Sequence, residues 1–137
     1  MISYEDFKKT EIKIGKILSA EKIPDTDKLL LLKVDFGTIV PGIANPAEVS
    51  AEIVETSLSE KEKNEKRDIR QIVSGIALYF PDPLRLVGIK CAFVTNLEPR
   101  MIRGYESNGM ILGVGGGELP LSILRADEDV REGSIAK

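Results

Sequence analysis

Histidine and tryptophan are absent from this 137-residue chain, and cysteine occurs once, at position 91. The missing histidine excludes Ser-His triads, imidazole acid–base catalysis and His-ligated metal sites. A lone cysteine excludes an internal disulfide and any thiolate cluster. Cys91 lies in the strand-like run Ile89-Lys90-Cys91-Ala92-Phe93-Val94, which predicts a small buried apolar residue rather than a reactive thiol. Aromatics make up only 5% of the residues, which argues against aromatic base stacking as a main binding mode. No apolar run approaches the ~18 residues a membrane helix needs. The N-terminus, Met1-Ile2-Ser3-Tyr4-Glu5-Asp6-Phe7, is too acidic and too short in apolar length for a signal peptide. These absences predict a cytoplasmic protein with no cofactor, no metal and no catalytic residues.

A chain of this length fits one domain, 1–137, able to bury roughly two-thirds of its unfolded surface without cross-links. The formal charge is −3, from 19 basic and 22 acidic residues. The excess acid sits in residues 44–70 and 118–137, and the remainder is close to neutral. That distribution leaves room for a local basic face.

The pattern along the chain is mostly that of short strands. Ser3 before Asp6 predicts a capped helical turn. Glu11-Ile12-Lys13-Ile14-Gly15-Lys16-Ile17 alternates polar and apolar, the period of a half-buried strand, and Gly15 suggests a bulge. Leu29–Phe36 reads as a second strand after the turn cluster Pro24-Asp25-Thr26-Asp27, and Gln71–Ala77 as a third. Pro83-Leu84-Arg85-Leu86 predicts a short helical turn. Lys90–Thr95 and Met110–Val114 are further strands, with Leu119–Leu124 and Gly133–Ala136 as edge strands. Between them, Asn45-Pro46-Ala47-Glu48 opens a helix at about 45–67, with Val49, Ile53, Val54 and Leu58 on one face. Lys61-Glu62-Lys63 reads as its solvated continuation. Short strands, one helix and many Gly/Pro turns predict a mainly β, small closed barrel, with two-layer α+β as the rival.

Two suggestive motifs fail on spacing. Gly115-Gly116-Gly117 lacks the Lys and following helix of a phosphate loop, so it is a turn. Asp127-Glu128-Asp129 lacks the central Gly and twelfth-position Glu of a Ca²⁺ loop, so it is a solvated acidic turn. The stretch Asn96–Met110 is different. It gathers two Arg, two Asn, a Ser and two Met in one connection between strands. Arg offers a planar fork of donors to phosphate, Asn and Ser bond base edges or riboses, and Met covers a base face.

At these residues the chain resembles the tRNA-binding domain family, which includes the C-terminal or beta-subunit domains of methionyl-tRNA synthetases and free-standing dimeric tRNA-binding proteins. The signature is Asn96-Leu97-Glu98-Pro99-Arg100, then Gly104, then Ser107-Asn108-Gly109-Met110-Ile111-Leu112. Ile12–Ile17, Asp27-Lys28-Leu29-Leu30 with Lys33-Val34-Asp35, Arg70–Ile76 and Asp127–Gly133 are also similar. The resemblance implies an OB-fold five-stranded barrel with the inserted helix and a C-terminal extension at about 118–137. It implies tRNA as ligand, recognised largely by shape, a methionyl-tRNA synthetase as partner where the chain is not free-standing, and a homodimer through the extension. RNA contacts are implied at Asn96, Arg100, Arg103, Ser107 and Met110, with Lys28, Lys33 and Ser74 nearby. The segment from about Val40 to Asp68 is longer than the family's usual connection; it adds a packing helix or partner surface, or obstructs one side of the RNA face. The N-terminal Met1–Phe7 is similar to a second branch of the fold, the CsaA-type export chaperones, which bind unfolded or precursor polypeptides.

Overall fold

The run from Ile12 to Ile17 opens the first long strand, with Gly15 and Ile17 buried and Ile12 and Ile14 half-buried. The computed structural model describes residues 1–38 and 67–137, so the helix expected at about 45–67 lies outside the described residues. Ser3 caps a five-residue helix α1 (Tyr4–Lys8), its Oγ accepting from Asp6 N at 3.1 Å. Strands follow as β1 (Ile12–Lys22), β2 (Leu30–Thr38), β3 (Arg67–Ser74), β4 (Lys90–Val94), β5 (Arg100–Ile102), β6 (Tyr105–Ser107), β7 (Met110–Ile111), β8 (Gly113–Gly115) and β9 (Leu121–Ile123). Two 3-10 turns, Ala77–Tyr79 and Pro83–Leu86, stand between β3 and β4. The second is the helical turn that Pro83 predicts, with Asp82 Oδ1 accepting from Leu84 N. The third strand ends at Ser74 rather than Ala77, because Ala77 N turns back to bond Lys28 O and starts the first 3-10 turn.

The main sheet is antiparallel in the order β3-β2-β1-β4-β7. β1 serves two neighbours in succession. Ile12–Lys16 pairs with β4, and Lys16–Lys22 pairs with β2. The register slips between Ile17 and Ser19, so the bulge falls there and not at Gly15. Gly15 has another purpose. A Cβ at that position would lie 2.5 Å from Val34 Cγ1 and 2.7 Å from Phe36 Cε1, so its missing side chain lets the curled sheet close on its own core.

Inside the curl lie Ile17, Leu30, Leu32, Val34, Phe36, Ile72, Leu86, Cys91 and Phe93. Phe36 meets Phe93 edge to face, with centroids 5.3 Å apart. Cys91 is fully buried here as an apolar residue, and burial pushes its thiol up to about 12. The sheet is thus a curled half-barrel of the OB type, closed where the chain before β7 returns to β3. Asn108 N donates to Gln71 O at 2.9 Å, and Val73 N donates to Ser107 Oγ at 3.0 Å.

Residues 118–137 are knitted to this barrel through the backbone. Ala92 N bonds Leu124 O and Ala126 N bonds Lys90 O, while Ile14 N bonds Ser134 O and Ala136 N bonds Ile12 O. The Gly133–Ala136 edge strand is therefore present as a single bridge, Lys13 to Ile135. Asp127–Val130 forms the acidic turn read from the sequence, held by Lys90 Nζ donating to Glu128 O and Val130 O.

Candidate nucleic-acid interface

The connection from Asn96 to Met110 is not an open loop. Its centre folds into a β5–β6 hairpin, with Arg100 opposite Ser107, Met101 opposite Glu106 and Ile102 opposite Tyr105. The two tip residues, Arg103 (φ 52°) and Gly104 (φ 85°), both have positive φ, which makes a two-residue type I′ turn. Asn or Gly would occupy the first tip position at lower conformational cost than Arg. An arginine held there against that cost keeps an exposed cationic residue at the turn of the hairpin.

Among the described residues, the ion pairs engage Lys9, Lys13, Arg67, Arg70 and Lys90. Lys28, Lys33, Arg100 and Arg103 are exposed and have no carboxylate of the described residues within 4.0 Å. Lys33 stands opposite Gln71 on β2 and β3, with Lys33 Nζ donating to Gln71 Oε1 at 2.9 Å. Gln71 Nε2 in turn donates to Glu106 O at 3.0 Å. Lys33 and the arginine hairpin therefore share one face. Lys28 and Ser74 lie together at the other end of the same ladder, where Leu30 pairs with Ser74 and Lys28 O accepts from Ala77 N.

Met110 is exposed on β7. Met101, which sequence reasoning passed over as a site residue, is more exposed still at 69%. The hairpin carries it on the row that runs Lys33, Gln71, Glu106, Met101 across β2, β3, β6 and β5. Gln71 was also missed. The signal for it is the period of two: it faces Lys33 on the neighbouring strand.

Two of the expected RNA-contact residues spend their polar groups within the protein, Ser107 buried and Asn96 at an exposed position. Ser107 is 5% exposed, and its hydroxyl accepts from Val73 N and donates to Gly109 O. Asn96 uses its amide on the backbone, Oδ1 accepting from Glu11 N at 2.9 Å and Nδ2 donating to Lys9 O at 2.6 Å. Ser107 closes the barrel, and Asn96 pins α1 to the start of β1. Gly109 belongs to the same seam. A Cβ there would press on Val94 O and Ile72 Cδ1, each at 3.1 Å.

Beside Asn96, Thr95 Oγ1 donates to Glu11 Oε1 at 2.6 Å, and Lys13 Nζ stands 3.3 Å from the same atom. Burial opposes ionisation of Glu11, but the Thr95 hydrogen bond and the Lys13 charge outweigh it and hold the carboxyl below its ordinary range. A folded pKa below the unfolded one means stability that is present above the unfolded value and lost as pH falls through the folded value. Unfolding midpoints in urea are therefore expected to drop below about pH 4.3, the unfolded glutamate value. Part of that drop should vanish in Glu11→Gln, and an equally steep acid loss in the variant would remove Glu11 as its source.

The described residues contain no group of acidic, Cys or His side chains able to hold a metal, and no helix long and apolar enough to cross a membrane. An OB-type barrel with a cationic hairpin on one face defines a class of oligonucleotide-binding barrels. Residues 62–135 match the family described as "Putative tRNA binding domain", and the chain belongs to that family. It is 34% identical over 133 residues to methionine–tRNA ligase of Enterococcus faecalis, covering 97% of this chain and 16% of that protein. It is 44% identical over 115 residues to methionine–tRNA ligase of Methanoregula boonei, covering 84% of this chain and 13% of that protein. The chain thus spans only a small part of the curated relatives it matches. Among solved structures, the MetRS related protein from Pyrococcus horikoshii superposes with a TM-score of 0.73 at 28% identity, covering 100% of this chain and 98% of that one. Chaperone CsaA from Bacillus anthracis superposes with a TM-score of 0.68 at 20% identity over 100% of this chain and 99% of that one, a likeness of fold.

Proposed function

We propose that this chain is a tRNA-binding accessory to methionyl-tRNA synthesis, adding affinity for tRNA while a catalytic domain or subunit elsewhere performs the chemistry. The observation that carries this reading is the β5–β6 hairpin, on which Arg100 and Arg103 are exposed and Arg103 is kept at the tip in a conformation that favours glycine. Arg100, Arg103 and Lys33 neutralise phosphates along one face, and Met101 and Met110 cover a base or ribose. Lys28 and Ser74 extend the contact at the far end of the β2–β3 ladder. Asn96 and Ser107 serve by holding the frame that presents these groups. Recognition of A-form RNA goes mainly by shape and 2′-hydroxyls, so discrimination among tRNAs by this face is weak. The barrel works as a homodimer joined through residues 118–137, which doubles the cationic surface offered to one tRNA.

The reading is tested by titrating tRNA into the purified protein from low to physiological salt, with an unstructured polypeptide as the parallel ligand. Salt-sensitive tRNA binding is expected. Clear polypeptide binding with no tRNA binding at low salt would transfer the chain to the chaperone function that its CsaA neighbour's name describes. Sedimentation equilibrium tests the dimer, and a single monomeric species at binding concentrations would remove it.

A further inference from the structure

The hairpin is anchored at its base by three bonds, one of them from Arg70 Nη1 to Asn108 O at 3.4 Å. Val73 N donates to Ser107 Oγ, and Asn108 N donates to Gln71 O. Beyond Ser107, toward the tip, the hydrogen bonds among the described residues join the hairpin to the rest of the barrel at one place, Gln71 Nε2 to Glu106 O. A two-stranded ribbon held only at its base is free to tilt. The side chain of Gln71 is the brace that fixes the tilt.

The chemistry of this brace is demanding. Lys33 can only donate and the Glu106 carbonyl can only accept. The bridging group must therefore accept on one side and donate on the other, at a length that spans from β3 to β6. A glutamine amide does both at 2.9 Å and 3.0 Å. Glutamate would keep Lys33 and lose the carbonyl, and a lysine would keep the carbonyl and repel Lys33. Because Lys33 and Gln71 are cross-strand partners, the amide also fixes where the Lys33 ammonium stands relative to the arginine hairpin.

We propose that Gln71 is a positioning residue for nucleic-acid binding, setting the spacing between the Lys33 cation on β2 and the Arg100 and Arg103 cations on the hairpin. The proposal rests on the tRNA-binding reading for its function, but its structural half stands independently. Rigid spacing matters to a surface that reads RNA by shape, since each cation left to search for its phosphate lowers affinity through ordering cost.

The test uses the full chain and the variants Gln71→Met and Lys33→Met. Amide hydrogen exchange in the free protein is read first, across residues 100–107. In Gln71→Met these amides are expected to exchange about tenfold faster, the loss of roughly one hydrogen bond, while β1, β2 and β4 keep their protection. Unchanged exchange in the hairpin would overturn the brace. Binding to bulk tRNA is read next. Gln71→Met should bind several-fold more weakly with the same dependence of log affinity on log salt, because no cation has been removed. Lys33→Met should bind more weakly with that slope reduced by about one. Wild-type affinity in Gln71→Met, or a slope that falls as it does in Lys33→Met, would overturn the positioning role. Should the wild-type protein bind no tRNA, the proposed function fails, and the exchange measurement still decides the brace.

Discussion

Replacing Arg70 with methionine is expected to lower the unfolding free energy by about 2–4 kcal/mol, the range for breaking a part-buried, hydrogen-bonded ion pair. The guanidinium sits where the barrel closes. Nε and Nη2 bond the two carboxylate oxygens of Asp68 at 3.0 Å each, and Nη1 donates to Thr95 O at 2.6 Å and to Asn108 O at 3.4 Å. Its plane also lies over the Phe36 ring, 5.4 Å from the centroid. One side chain thereby ties β3 to the end of β4 and to the residue that begins the closing seam. Methionine would fill much of the volume but leave a carboxylate and two carbonyls without their donor. Arg70→Lys should recover only part of the loss, because a single ammonium cannot reproduce the fork. Urea unfolding checks both variants. A midpoint for Arg70→Met within experimental error of wild type would show that the seam closes without the guanidinium.

Removing both hairpin arginines, as Arg100→Ala with Arg103→Gly, is expected to weaken tRNA binding by about a hundredfold near physiological salt and to reduce the log–log salt slope by about two. The second substitution is chosen for the tip's geometry. Arg103 holds φ at 52°, so glycine relieves backbone strain there and is expected to raise stability by up to about 1 kcal/mol. The single variant Arg103→Gly should therefore move stability and affinity in opposite directions. Thermal unfolding and a tRNA titration on that one protein separate a binding role from a structural one. Weaker binding with lower stability would assign Arg103 to the turn alone, and unchanged binding would remove it from the interface.

Much of the barrel was legible because its signals are local and periodic. The alternation in β1, the apolar run of β2, the Ser3 cap and the Pro83 turn all appear where the residues predict them. The connection between β4 and β7 was legible in composition and not in shape. Type I′ turns are usually announced by Asn-Gly or Gly-Gly, and here arginine stands at the first tip position. With the hairpin hidden, the directions of Asn96 and Ser107 could not be read. Both are polar residues that suit RNA as well as backbone, and only the fold of the chain buries Ser107 and brings the backbone of residues 9–11 to the Asn96 amide. Gly15 misled for a similar reason. A strand glycine signals either a bulge or a close approach, and the choice rests on Phe36, far along the chain.

The pairing of β1 with residues 133–136 has a consequence for how this chain comes into being. Ile12 and Ile14 acquire these backbone partners only when Ser134 and Ala136 have been made. During synthesis the first long strand therefore emerges with part of one flank unclothed, and it stays so until residues 133–136 have left the ribosome. Contacts between residues so far apart in sequence form late and slowly. An unclothed flank is also the part of a β protein most open to capture by another nascent chain. The strand that organises the barrel is thus the one whose flank is covered last, when residues 133–136 reach it.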